Sequence, residues 1–476
     1  MPTDAPRFHI DEIRFSERDV VLRLPFRFGA ATVTSCPQVY VRARIRFADG
    51  RTSEGCAAEM MIPKWFDKNP ALSNEDNFEQ LRLALRLARE AYVGSAFAQT
   101  GWGHFASHYA DVLDAGRLAA LNPLVASYGP ALIDRAVLDA LCLHLGLSFA
   151  DAMSADVAGI DPHHHALAPD LAGFDMAAFL RQQRPRSRIA ARHTVGLADA
   201  IRDSDPIDVA PGDGLPASLE AAVARYGHRH FKIKLAGDNA ADLKRLGRIA
   251  EVIAPVAELV TLDGNEQYAD AHAFAAFLDE WLASPEQQTL VQRTAFIEQP
   301  IQRSTALDHD LRASAARMPL LVDESDSTLD SFVAAQQLGY TGVSSKSCKG
   351  FYKSIVNAAR CAQTRDNGGS ALFMSGEDLT MQAGIGVQQD LALVAWLGLS
   401  HVERNGHHYV NGMAALPAEE QAAFLAMHPS LYGHRDGATR LRIVQGELHL
   451  SSLQAPGFGT GIAGGGIAWD AMRTDW

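Results

Sequence analysis

Apolar and charged residues alternate along "QVYVRARIRF", and "ADG" then supplies a turn. Alternation with period two is the signature of a half-buried strand. Residues 7–24 and 37–48 both read as β on this ground. From about 75 to 147 the period lengthens. "FEQLRLALRLAREAYVG" places apolar residues at helical spacing and stops at a glycine, as helices often do. The Pro/His-rich stretch at 159–170 opens a linker expected to run to about 187. After 188 short apolar runs recur: "IAARHTVG", "HFKIKL", "ELVTLDGN", "TAFIEQP", "PLLVDES", "TGVSSKS", "ALFMSGE" and "HVERN". Helix-like stretches such as "FYKSIVNAARCAQTRD" lie between them. Eight β/α alternations predict a (β/α)8 barrel, although a doubly wound sheet gives the same local signal. Beyond 416, "ELHLSSL" reads as a strand and the glycines at 457–466 as coil. The expected organisation is an α+β capping domain over 1–187, a barrel over 188–415, and a tail over 416–476 that packs back on the cap.

Composition narrows the function. The chain has 476 residues, 47% of them apolar, and a formal charge of -13. Such acidity disfavours nucleic acid or an anionic membrane as partner. Its five scattered cysteines, with no CxxC, predict free thiols and a cytoplasmic protein. "MPTDAPRFHI" lacks the apolar core of an export signal. Residues 381–399 are apolar but carry Gln382, Gln388, Gln389 and Asp390, so they predict a buried helix rather than a membrane span.

The chemistry gathers at the carboxyl ends of the runs. In "HFKIKL", Phe231, Ile233 and Leu235 share one face, and Lys232 and Lys234 share the other. The third run ends in Asp263, with Asn265 and Glu266 after it. The fourth ends in Glu298, the fifth in Asp323 and Glu324. The sixth carries Lys346 and Lys349. One such carboxylate is most often a helix cap. Three on successive strand ends, flanked by lysines, suit a hard cation such as Mg²⁺ at a barrel mouth.

The ordered set resembles the enolase superfamily, in the branch of muconate-lactonizing enzymes, dipeptide epimerases and succinylbenzoate synthases. "KIK" at 232–234 matches the branch's Lys-x-Lys. Asp263, Glu298 and Asp323 match its metal carboxylates, and Lys346 its sixth-strand lysine. "EQP" and "DES" stand at 298–300 and 323–325. Two departures are the longer interval between Asp263 and Glu298, read as a surface insertion around "LASPEQQTLVQ", and Gly350-Phe351 where the branch has Gly-Gly.

The resemblance implies Mg²⁺-dependent removal of a proton α to a carboxylate from a small molecule, in a homo-oligomer. Lys234 is the expected base, with Lys232 beside it favouring the neutral amine. Lys346 across the mouth would return the proton, as in a racemase or epimerase. A lyase or cycloisomerase needs only one of the two as base. Specificity is expected from loops at 26–37 and 57–70, where Trp65, Phe66 and Met61 would form a lid and Lys64 or Lys68 meet an anion. Asn265, Glu324, Glu377 and Trp65 are candidate substrate contacts. A solvated loop is expected at His163–His165, and His401, His407 and His408 match no metal spacing. A Schiff-base lyase using Lys234 or Lys346 leaves the three carboxylates unexplained. A barrel that has lost catalysis leaves the lysines unexplained.

Overall fold

A computed structural model of the protein describes residues 5–29, 31–207, 211–461, 466–474 and 476. Part of the expected start segment (1–4), Ala30 of the first expected loop and 462–465 of the expected coil lie outside the described residues.

Eight parallel strands form the barrel: β4 (Arg188–Val195), β5 (His230–Lys234), β6 (Leu259–Asp263), β7 (Thr294–Glu298), β8 (Leu320–Val322), β9 (Gly342–Ser345), β10 (Phe373–Gly376) and β11 (His401–Arg404). Closure is direct: β11 pairs with β4, from His401 opposite Ala190 to Arg404 opposite His193. This excludes the doubly wound alternative. Helices cover the outside, and short polar residues start several of them. Ser218, Asp238 and Asp270 each accept a backbone N–H in the first turn of the helix that follows. On β5 the alternation works as expected. Phe231, Ile233 and Leu235 are buried in the layer beneath the helices, and Lys232 and Lys234 turn into the barrel.

Before the barrel, β1 (Phe8–Phe28), β2 (Ala31–Phe47) and β3 (Thr52–Met60) form an antiparallel sheet. Helices Asn74–Val93, Gly101–Leu118 and Tyr128–Leu145 follow it. The third is buried along almost its whole length, and its Arg135 pairs with Glu59 of β3 at 3.0 Å. The tail returns to this sheet. Trp476 stacks on Phe15 with centroids 5.3 Å apart, and Arg18 pairs with Glu420 at 3.0 Å.

Two expectations change and a third gains detail. The loop at 26–37 is the tip of a long hairpin, because Phe26 and Phe28 continue the ladder opposite Val33 and Ala31. The surface insertion expected around "LASPEQQTLVQ" is mostly solvent-facing, and it is ordered as two short helical turns after a packed helix. Phe274, Phe277, Leu278 and Trp281 of the helix Ala271–Ala283 are buried, and so is Leu290 of the added turn Gln288–Arg293. Gln287 ties that turn down by donating to the Leu243 carbonyl at 3.1 Å. In the tail the expected strand shortens to β12 (Glu447–His449), which pairs antiparallel with β4. The apolar stretch 381–399 contains the buried helix Ile385–Trp396. Among the described residues, no helix is long and apolar enough to cross a membrane, and all five cysteines are free.

Candidate active site

The strand register sets the site. Lys234, Asp263 and Glu298 are direct partners across β5, β6 and β7, so they form one row at the carboxyl end of the barrel. Asp323 and Lys346 follow the last residues of β8 and β9. The Lys234 ammonium donates to Asp263 Oδ2 at 2.6 Å. Lys346 donates to Asp323 Oδ2. Lys232, one residue pair deeper, is surrounded by acids: Asp263 at 2.9 Å, Glu298 at 2.7 Å, Glu377 at 2.8 Å and Glu403 at 3.1 Å.

Burial and charge compete at each group. Burial works against the Lys232 ammonium, but the four carboxylates more than offset it and hold it well above the ordinary amine range. Lys232 is therefore a fixed cation. Lys346 is raised in the same way, burial opposing and Asp323 prevailing. Burial would lift the Asp263 carboxyl, yet Lys232 and Lys234 keep it below its usual value. Glu298 goes the other way: burial, then Asp263 and Glu377 beside it, push it well up. Neither Glu298 oxygen takes a well-aligned hydrogen bond, although Lys232 Nζ is close to Oε2. Glu324 has both carboxylate oxygens buried without a donor, and burial with Asp323 and Glu266 pushes it up to about 7. This centre holds more acid than its lysines neutralise. Oxygen donors with surplus negative charge fit a hard divalent cation, so Asp263, Glu298 and Asp323 are residues that could hold Mg²⁺.

Lys232, Lys234 and Lys346 border one cavity of about 20 Å³, capped by Phe26, Phe28, Ile62 and Trp65. That is room for a water and not for a substrate. The Lys346 ammonium lies 4.3 Å from the centroid of the Trp65 ring. The segment after Trp65 is clamped to the barrel loops. Lys68 meets Glu266 at 2.5 Å and donates to the Asn265 carbonyl at 2.9 Å, while Arg303 pairs with Glu266 at 2.7 Å and donates to the Phe66 carbonyl at 3.0 Å. Lys64 turns away and donates to the Asn69 carbonyl at 3.0 Å.

The remaining candidates separate. Asn265 donates its backbone N–H to Asp263 Oδ1 at 2.8 Å and holds φ at 43°, a left-handed value that asparagine tolerates. Glu324 borders a second cleft of about 620 Å³ together with Lys68 and Arg303. Glu377 does not border the small cavity. It lies inside the barrel, engaged by Arg192, Ser375 and Lys232. Asp378 does border it. His163–His165 stand in a turn apart from the barrel mouth, with none of the three buried.

Glu403 was not singled out in the sequence. It borders the cavity, accepts from Thr194 at 2.6 Å and faces Lys232. Burial notwithstanding, Lys232 and Lys234 hold its carboxyl well below the usual range. The available signal is a carboxylate near the carboxyl end of the eighth run, one residue before the end of β11.

Against known proteins, the model of the family described as "Enolase C-terminal domain-like" matches residues 215–464. No curated protein matches the sequence. Among solved structures, the muconate lactonizing enzyme from Pseudomonas fluorescens complexed with muconolactone aligns with TM-score 0.56 at 18% identity, over 99% of this chain and 97% of that one. The dipeptide epimerase from Methylococcus capsulatus complexed with Mg and dipeptide L-Arg-D-Lys aligns with TM-score 0.54 at 18% identity, over 95% and 99%. The L-Ala-D/L-Glu epimerase from Bacillus subtilis gives TM-score 0.55 at 15% identity, over 95% and 98%.

Proposed function

Because the chain belongs to the enolase C-terminal domain-like family, in the mandelate racemase and muconate lactonizing branch of the enolase superfamily, we propose that it removes a proton α to the carboxylate of a small molecule and returns it, as a racemase or epimerase. The observation that carries this is the placement of Lys234 and Lys346. They border one cavity from β5 and from the end of β9, with the acid-bearing strands β6, β7 and β8 between them.

Asp263, Glu298 and Asp323 would hold Mg²⁺. When bound, a divalent cation disperses negative charge on the substrate's carboxylate oxygens and relieves the lysines of the acids they now neutralise. Lys234 Nζ, as a neutral amine, takes the α-proton on one face. Lys346 Nζ, as an ammonium, gives one back on the other. Lys232 stays charged beside the reacting centre and stabilises the anion that develops there. Trp65 and the hairpin tip at Phe26 and Phe28 exclude water, and they must withdraw to admit substrate. We take residues 1–187 with 416–476 as the cap over a barrel unit at 188–415. Trp476 and Glu420 tie the tail to the cap at Phe15 and Arg18, and the strand Glu447–His449 ties it to β4 of the barrel.

Elimination or cycloisomerisation is a second reading on the same residues, and muconolactone in one structural relative favours keeping it. The test is a screen of dipeptides, acid sugars and aromatic carboxylates in D₂O with Mg²⁺. Deuterium at the α-carbon together with inversion is expected for at least one compound. Exchange without inversion would favour the second reading, and absence of exchange across all three classes would defeat both.

A further inference from the structure

Three histidines far apart in the sequence meet on the outer side of β4. Arg192 and Thr194 point into the barrel, so His193 between them points out. His228 lies just before β5, and His407 lies in the short helix Gly406–Tyr409 after β11. His193 Nδ1 is 3.2 Å from His407 Nε2, and His228 Nε2 is 3.0 Å from that same atom. The three ligand nitrogens all lie within 4.8 Å of one another. His193 and His228 are fully buried, and His407 is 9% exposed.

One backbone carbonyl fixes a bare nitrogen at the meeting point. His228 Nδ1 is 3.1 Å from the Ala191 carbonyl, which only accepts, so that nitrogen carries the proton and Nε2 of the neutral ring does not. A carbonyl fixing the far nitrogen is the usual outer support of a metal-bound imidazole. The turn that carries His407 is fixed as well. Tyr409 donates to Asp199 Oδ2 at 2.5 Å, and the Gly196 N–H donates to the same oxygen at 2.7 Å. This ties the turn that carries His407 to the one that follows His193.

The geometry points to a second metal site at His193, His228 and His407, for a borderline divalent ion such as Zn²⁺. Nitrogen bonds of about 2.05 Å in a tetrahedral site set nitrogens roughly 3.3 Å apart, close to the two separations at His407 Nε2, with the third pair within 4.8 Å. An all-imidazole set selects Zn²⁺, Co²⁺ or Ni²⁺ over Mg²⁺, which prefers oxygen. His407 also stands on the wall of a cavity of about 540 Å³, the side from which a water would fill the fourth position. The site joins β4, the approach to β5 and the turn after β11. It does not depend on the proposed reaction.

The test is titration of the full chain with Co²⁺ in saturating Mg²⁺, read by visible absorption. One tetrahedral Co²⁺ per chain is expected, retained in Asp263→Asn. In His407→Ala affinity should fall by more than the roughly 10- to 100-fold that a change outside the ligands costs. The proposal is overturned if wild type develops no such band, if His407→Ala keeps it, or if replacing His163–His165 removes it. Should His407→Ala not fold, X-ray absorption on wild type loaded with Zn²⁺ decides: three imidazoles are expected, and fewer refute the site.

Discussion

Lys234 and Asp263 are register partners on β5 and β6, and the lysine ammonium donates to the carboxylate at 2.6 Å. The same carboxylate lies 2.9 Å from Lys232. One acid thus answers to two lysines and, on the proposed function, to the metal. In Asp263→Asn, Lys232 keeps Glu298, Glu377 and Glu403, so the barrel should remain folded. Turnover should fall at least about 100-fold, since a Lewis acid contributes several kcal/mol to such a reaction. Circular dichroism and Mg²⁺ titration calorimetry check the two halves. Full activity of wild type in excess chelator would refute the metal role.

Trp65 covers Lys346 and packs edge-on against Phe66 at 4.8 Å. Trp65→Ala should cost about 3–5 kcal/mol in urea unfolding, the range for truncating a large buried aromatic residue. It should also raise KM, because the cavity loses its roof. Trp65→Phe keeps a ring face toward the ammonium and should recover most of both losses. If phenylalanine does no better than alanine, the contact with Lys346 is incidental.

The site was legible where chemistry coincides with strand ends, and obscure where it depends on closure. Asp263, Glu298 and Asp323 each terminate a run, so their order could be read directly. Glu403 lies one residue before the end of β11, and it matters because β11 pairs with β4 and so brings it to Thr194 and Lys232. That pairing joins the first and last strands and leaves no local trace. The same closure brings His407 to His193 across more than 200 positions, which no spacing rule detects. The charged and polar residues of the insertion conceal its two buried anchors, Gln287 and Leu290. The hairpin tip was misread because Gly29, with φ at 52°, allows the strands to run on through what resembles a loop.

The clamp at Glu266 gives a pH dependence with a definite sign. Burial would raise its carboxyl, but Arg303 and Lys68 outweigh that and hold it below its ordinary value. The folded protein therefore binds this proton more weakly than the unfolded chain does. Its stability contribution is complete above the unfolded value of about 4.3 and is lost as pH falls through the lower folded value. Glu266→Gln should be less stable than wild type by about 3 kcal/mol at pH 7, as for one partner removed from a buried pair. The gap should shrink in urea unfolding near pH 3. A gap that widens on acidification would contradict the assignment.

The decisive prediction separates the reaction types through Lys234 and Lys346. If each serves one face of the α-carbon, Lys234→Ala should stop α-deuterium exchange for one stereoisomer and leave it for the other, and Lys346→Ala should show the reverse. If only one acts as base, only one replacement should abolish exchange. The other should still slow it by on the order of 10²- to 10³-fold, because it withdraws a preorganised charge from beside the developing anion. Lys346 also neutralises Asp323, so its loss could weaken metal binding and mimic a catalytic defect. Mg²⁺ affinity measured on the same variants distinguishes the two causes. Unchanged affinity together with loss of exchange for a single stereoisomer supports the two-base reading. Loss of exchange for both stereoisomers in Lys234→Ala alone would leave the proton abstraction standing and assign the chain to the eliminating or cyclising enzymes.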